Sequence, residues 1–142
     1  MKIFRRPPDF IIGSPGSPYM LRWYLVPRNR WFNVYLHKIV RSDDDRALHD
    51  HPWASLSVII NGRYVEQTDA GRRSYRCGSI IYRGSGYRHR IEVATGECAW
   101  TLFITGPKVR EWGFWCPKGF VVWHEFVDIN DTGSVGRGCG EK

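Results

Sequence analysis

Turn residues recur along this chain every eight to twelve positions, and the runs between them are short and rich in β-favouring residues. The runs read as strands are residues 20–26, 31–40, 53–60, 63–68, 78–83, 88–93 and 99–105. Between them stand Pro27-Arg28-Asn29-Arg30, Asn61-Gly62, Asp69-Ala70-Gly71, Gly84-Ser85-Gly86 and Thr95-Gly96-Glu97, and Gly106-Pro107 stops the last run. Asn61-Gly62 carries the strongest short hairpin signal, so Arg63 to Thr68 is expected to return against the strand before it. Such connections leave no room for the crossover helices of a parallel sheet. The pattern predicts an all-β sandwich or small barrel, and seven each of Trp, Tyr and Phe with fifteen Gly agree with it.

At 142 residues the chain suits one domain with a real core. Residues 1–19 hold four of the eight prolines and read as an irregular arm, 20–129 as the domain, and 130–142 as a flexible tail with little to bury. The acidic run Asp43-Asp44-Asp45 reads as a loop. From Pro117 to Val127 the spacing of Phe120, Trp123, His124 and Val127 predicts a short C-terminal helix, against the β-favouring Val121-Val122-Trp123. Trp112, Trp115 and Trp123 read as core, or as closing one end of the fold or forming a dimer contact. Cys77, Cys98, Cys116 and Cys139 form no C-x-x-C pair, and free thiols are expected. No apolar run is long enough for a membrane span or a signal-peptide core, so the expected location is cytoplasmic and no membrane partner is expected.

The net charge is +7, and sixteen of the 21 basic residues are Arg. A surface for nucleic acid would use such charge. The arginines are scattered rather than blocked, which argues against that partner. A narrower use is to clamp an anionic substrate, because the guanidinium fork matches carboxylates and phosphates. Arg83, beside the Gly84 turn, is the first candidate for that role, while Arg88 and Arg90 flank His89 and should point away from it.

His49 and His51 are separated by one residue, and His89 follows in a later strand. Histidines so spaced on an extended strand project to one face. Two imidazoles side by side can grip a transition metal, with a third from a neighbouring strand. Asp50 should point the other way, into a hydrogen-bonding role. Tyr64 and Glu66 alternate on the return run and are candidates to orient a ligand imidazole, although a solvent-facing Glu66 reads equally well. Tyr35 and His37 share a face, from which His37 can reach a pocket as an acid or base; a hydrogen-bonded structural histidine is the plainer reading. His124 reads as structural.

The spacing resembles the two motifs of the cupin superfamily, G-x5-H-x-H-x3-E-x6-G and G-x5-P-x-G-x2-H-x3-N. His49, His51 and Gly62 fall on the first, with Ser55 in the glutamate's place and Asp43 in the leading glycine's. Gly78, Gly86 and His89 fall on the second, with Gly84 in the proline's place and Val93 in the asparagine's. Three histidines and three glycines thus match in order over residues 43–93, about one third of the chain.

The resemblance implies an RmlC-like jelly roll, a double-stranded β-helix, whose interior carries His49, His51 and His89 as metal ligands. Ser55 would stand at the fourth-ligand position, where a hydroxyl is a poor substitute for a carboxylate. Three neutral imidazoles leave a dication's charge uncompensated and favour an anionic ligand. Within the superfamily such a site is similar to those of thiol dioxygenases and some diketone-cleaving dioxygenases, which makes Fe(II) the favoured ion, with Zn, Ni, Mn or Cu also suited to imidazole. The expected function is a metal-binding cupin acting on a small anionic molecule, a mononuclear non-haem iron dioxygenase in its most concrete form. The alternatives are a non-catalytic small-molecule-binding or regulatory cupin, and a sugar-nucleotide epimerase or isomerase using a His–Asp pair and a Tyr. Exposed sheet edges and surplus aromatics leave room for a homodimer.

Overall fold

The computed structural model describes residues 5–14, 16–43 and 47–140. Among them the strands are β1 (Phe10–Ser14), β2 (Ser17–Tyr24), β3 (Asn33–Ile39), β4 (Leu48–His49), β5 (Ser55–Thr68), β6 (Gly71–Arg76) and β7 (Ile80–Arg83). They continue as β8 (Arg90–Glu92), β9 (Ala99–Thr105), β10 (Gly113–Cys116) and β11 (Gly119–Val122). A single helical turn, α1 (Trp123–Phe126), then leads into β12 (Val127–Asp128) and β13 (Asp131–Val135). Every pairing is antiparallel. The main sheet runs β1-β2-β3-β9-β5-β6, with β7 and β8 also paired to β5, and a smaller sheet runs β11-β10-β4. No helix among the described residues is long and apolar enough to cross a membrane.

The period of two along each strand puts alternate residues on the inner face, and the register aligns them in rows across the main sheet. One row runs Arg22–His37–Thr101–Ile59, the next Tyr24–Tyr35–Phe103–Ser57, and the next Asn33–Thr105–Ser55–Arg83. Met20, Ile39, Ile59, Tyr64, Ile81, Ile91, Val93 and Ala99 form the larger apolar cluster. Cys116, Phe126 and Val127 form a second cluster beside the small sheet.

Asn61-Gly62 does not make the expected hairpin. It lies within β5, which continues through it as one strand of 14 residues. The register against β9 shifts between Ile59 and Asn61, a β-bulge. Before the bulge the buried residues are Ser55, Ser57 and Ile59; after it they are Tyr64 and Glu66. The bulge therefore changes which parity of β5 faces inward. Gly62 is required there: its φ is +78°, and a Cβ would lie 2.1 Å from the Cys98 carbonyl oxygen. The true hairpin turn is at Asp69-Ala70, and it returns β6 against the second half of β5.

Other expectations are corrected. The N-terminal arm is not irregular throughout, because β1 and β2 form a hairpin across residues 10–22. The C-terminal segment is not a free tail: β13 pairs with β12 and lies against β1. Cys116 and Cys139 are joined in a disulfide, so only Cys77 and Cys98 remain free thiols. Pro117 starts no helix; residues 117–118 turn between β10 and β11, and the helical turn begins at Trp123. Of the acidic run, Asp44 and Asp45 lie outside the described residues.

Candidate metal centre

His49 ends β4, and His51 follows in irregular backbone rather than on the same strand. What fixes the pair is a bridge to the second motif. His49 N–H donates to the His89 carbonyl and His89 N–H to the His49 carbonyl, each at 2.9 Å. This antiparallel contact brings the third imidazole to the first two. Ligand atoms of His49, His51 and His89 all lie within 4.8 Å of one another. The rings are 4.7 to 5.1 Å apart by their centroids.

Asp50, between the two histidines, points away as expected and is fully buried. It accepts hydrogen bonds from Gly113 N–H at 3.0 Å and Trp115 Nε1–H at 2.9 Å, and pairs with Arg110 at 2.7 Å. This clamps the motif strand to β10. Asp43, where the first motif has glycine, places Oδ2 3.7 Å from His49 Nδ1 and accepts from Ile91 N–H at 2.7 Å.

Behind the histidines lies a buried polar network. Glu66 Oε1 is 2.5 Å from His89 Nδ1 and 2.6 Å from Arg83 Nε. Arg83 also donates to Ser57 Oγ at 2.9 Å and to the Tyr64 hydroxyl at 3.0 Å. Glu66, Arg83 and His89 are 1%, 2% and 3% exposed, so the charges compensate each other out of water. Arg83 spends its guanidinium on Glu66, Ser57 and Tyr64, and is therefore a positioning residue rather than the expected clamp. Glu66 is not solvent-facing; it holds the His89 imidazole from behind. Tyr64 joins this network, and burial raises its pKa.

Ser55 faces inward at the start of β5, between Thr105 and Arg83 in the register. It does not line the cavity described below, whereas Ser57 does. Its buried hydroxyl has no hydrogen-bond partner among the described residues. The fourth-ligand position thus contributes nothing to the cavity wall. Arg88 and Arg90 turn away as expected, Arg88 over the Trp115 ring and Arg90 to Glu92.

Burial pushes the pKa of His51 and of His89 well below the usual imidazole value, reinforced in both by His49 and the Arg83 cation and in His51 also by His89. Both are therefore neutral. A carboxylate only accepts, so His89 donates Nδ1–H to Glu66 and keeps a lone pair on Nε2. That nitrogen faces His51 Nε2 at 2.9 Å. Two nitrogens bound at right angles to one ion, each at about 2.1 Å, would stand about 3 Å apart. The donor set of three convergent imidazoles, with His89 buried and fixed in tautomer by a carboxylate, fits a divalent transition metal.

The histidines open on a cavity of about 600 Å³, within the range of small-molecule sites. Its wall is rich in aromatic side chains, with Phe103, Trp112 and Trp123 among the lining residues, and includes Arg22 and His37. Trp112 and Trp123 stack at 5.9 Å. Tyr35 stacks with His37 at 5.6 Å but does not itself line the cavity. Sequence reasoning missed Arg22. The signal was present, because Met20, Arg22 and Tyr24 share one parity of an apolar run.

No family profile and no curated protein matches this sequence. Solved structures do share its fold. An RmlC-like cupin protein from Ralstonia eutropha JMP134 is 17% identical with a TM-score of 0.57, covering 79% of this chain and 70% of its own. A protein with a double-stranded β-helix domain from Klebsiella pneumoniae is 16% identical with a TM-score of 0.55, covering 75% of this chain and 90% of its own. The polyketide cyclase RemF from Streptomyces resistomycificus is 16% identical with a TM-score of 0.55, covering 68% of this chain and 75% of its own. Antiparallel strands, matching neighbours and three convergent histidines together give this chain the double-stranded β-helix fold of the cupins.

Proposed function

We propose that this protein is a metal-dependent enzyme of the cupin fold that acts on a small anionic molecule, with His49, His51 and His89 as the protein ligands. The observation that carries the reading is the Arg83–Glu66–His89 relay. It spends a fully buried ion pair on orienting one imidazole, which a merely structural histidine does not need. The ligand group contains no carboxylate among the described residues, so a bound dication keeps its full charge and attracts an anion. Bound there, Fe(II), the favoured ion, would supply Lewis-acid and redox chemistry toward a substrate and O₂, which makes a dioxygenase the specific form of the proposal. The residues themselves do the rest: Glu66 holds the His89 proton on Nδ1, and the aromatic wall excludes water.

Metal analysis of protein prepared without a histidine tag should find a transition metal that His51→Ala loses. Oxygen consumption over thiols, diketones and keto acids should then identify the reacting class. A protein that stays metal-free after reconstitution with iron, zinc and nickel would sink the proposal. A second reading, acid–base isomerisation without metal, draws on the His49–Asp43 approach. It predicts turnover that survives chelation.

A further inference from the structure

Arg22, in the cavity wall, has a ring nitrogen and a ring face for neighbours instead of an acid. It lies on β2 opposite His37 in the register. Its Nε–H donates to His37 Nε2 at 2.9 Å, and its guanidinium carbon stands 4.6 Å over the Tyr35 ring. Among the described residues no carboxylate pairs with it. The neighbours that act on it are tyrosines and a second cation, Arg28, which itself stacks over Tyr24 at 5.6 Å. Burial, aided by Arg28, lowers its pKa. A half-buried cation held in place from one side, with a like charge nearby and no counter-ion, is electrostatically incomplete. Arg83 in the same cavity makes the contrast, because its charge is fully answered by Glu66.

The geometry points to Arg22, positioned by His37, as the binding site for the carboxylate of an aromatic or otherwise apolar acid whose body lies along Phe103 toward the three histidines. With Nε committed to His37, the two terminal nitrogens are left for a carboxylate, which the guanidinium fork matches in a bidentate pair. Phe103 connects the two ends of the cavity: its ring stacks on His37 at 5.0 Å and reaches His51 at 6.4 Å. The aromatic wall gives such a body its apolar surroundings. This assignment rests on the anionic-substrate reading above and narrows it to one chemical class.

Calorimetric titration with phenylacetate and its uncharged isostere phenylacetamide tests it, on metal-free and on zinc-loaded protein. Metal-free wild type should prefer the acid by about 10- to 100-fold, the worth of a charge-assisted contact. Arg22→Met should abolish that preference and leave amide binding unchanged, while Arg22→Lys should restore part of it. In wild type, phenylacetate but not the amide should protect Arg22 from phenylglyoxal, a measurement that needs no variant to fold. Equal binding of acid and amide, binding of neither, or a preference that survives Arg22→Met overturns the inference. If zinc binds without any acid preference, this inference alone falls. If the acid preference holds in a protein that takes up no metal, only the metal-enzyme reading falls.

Discussion

Two of the partners of Glu66 ask different things of it. Arg83 neutralises its charge, and His89 uses it to fix a tautomer. Glu66→Gln should keep the volume but lose the strong acceptor, lowering metal affinity about 10- to 100-fold, as read by competition with a chromophoric chelator. Arg83→Met should act through stability instead. It strands a buried carboxylate, at a cost of about 3 to 5 kcal/mol in chemical denaturation, and the double variant should recover part of that loss. At this scale the sequence was informative where spacing alone sufficed. The convergence of His49, His51 and His89 was legible from the motif spacing, although His51 is not on the strand of His49, and the outward turn of Asp50 from its place between them. The partners of Arg83 were not, because which arginine meets an acid depends on contacts across strands far apart in the chain. For the same reason Arg22, embedded in MLRWYLV, read as one more scattered charge.

Among the elements, β5 shows why a strong local signal can mislead. An Asn-Gly pair marks a place where the backbone adopts positive φ, and both a tight hairpin and a β-bulge ask for that conformation. Local chemistry cannot choose between them. The choice is made by β9 and β7, which pair with the first half of the strand, and by β6 and β8, which pair with the second. The bulge is also what turns Tyr64 and Glu66 inward. Gly62→Ala should therefore destabilise the protein by about 2 kcal/mol or more and weaken metal binding at once, since the Cβ must displace the Cys98 carbonyl. A melting curve with and without zinc separates the two effects. Equal melting temperatures for Gly62→Ala and wild type would contradict the bulge.

For the whole molecule, the C-terminal segment is tied back by Cys116–Cys139 over a sequence separation of 23 residues. Nothing in the spacing of the cysteines announced this pairing, because it depends on where β10 and the last residues meet. Closing a loop of that size is worth about 3 kcal/mol against the unfolded chain, so reduction, or Cys139→Ser, should lower the melting temperature measurably. Cys77→Ser should not. Stability should also depend on pH. Burial, aided by the Arg22 cation, holds the His37 pKa well below its usual value. Below about pH 6.5 the unfolded chain binds a proton there that the folded one refuses, so stability rises with pH through that window. Metal-free protein should melt at lower temperature as the pH falls from about 7.5 to 5, and His37→Gln should flatten part of that slope.

The His51 imidazole lies in parallel stacking reach of two indoles, Trp53 at 6.0 Å and Trp112 at 6.5 Å between ring centroids. Whatever ion settles on that ring is thereby brought beside two of the protein's own fluorophores. An ion with unpaired electrons, such as iron(II) or copper(II), should quench their emission, whereas closed-shell zinc should leave it bright. The unlabelled protein thus carries an optical gauge of which class of metal it holds.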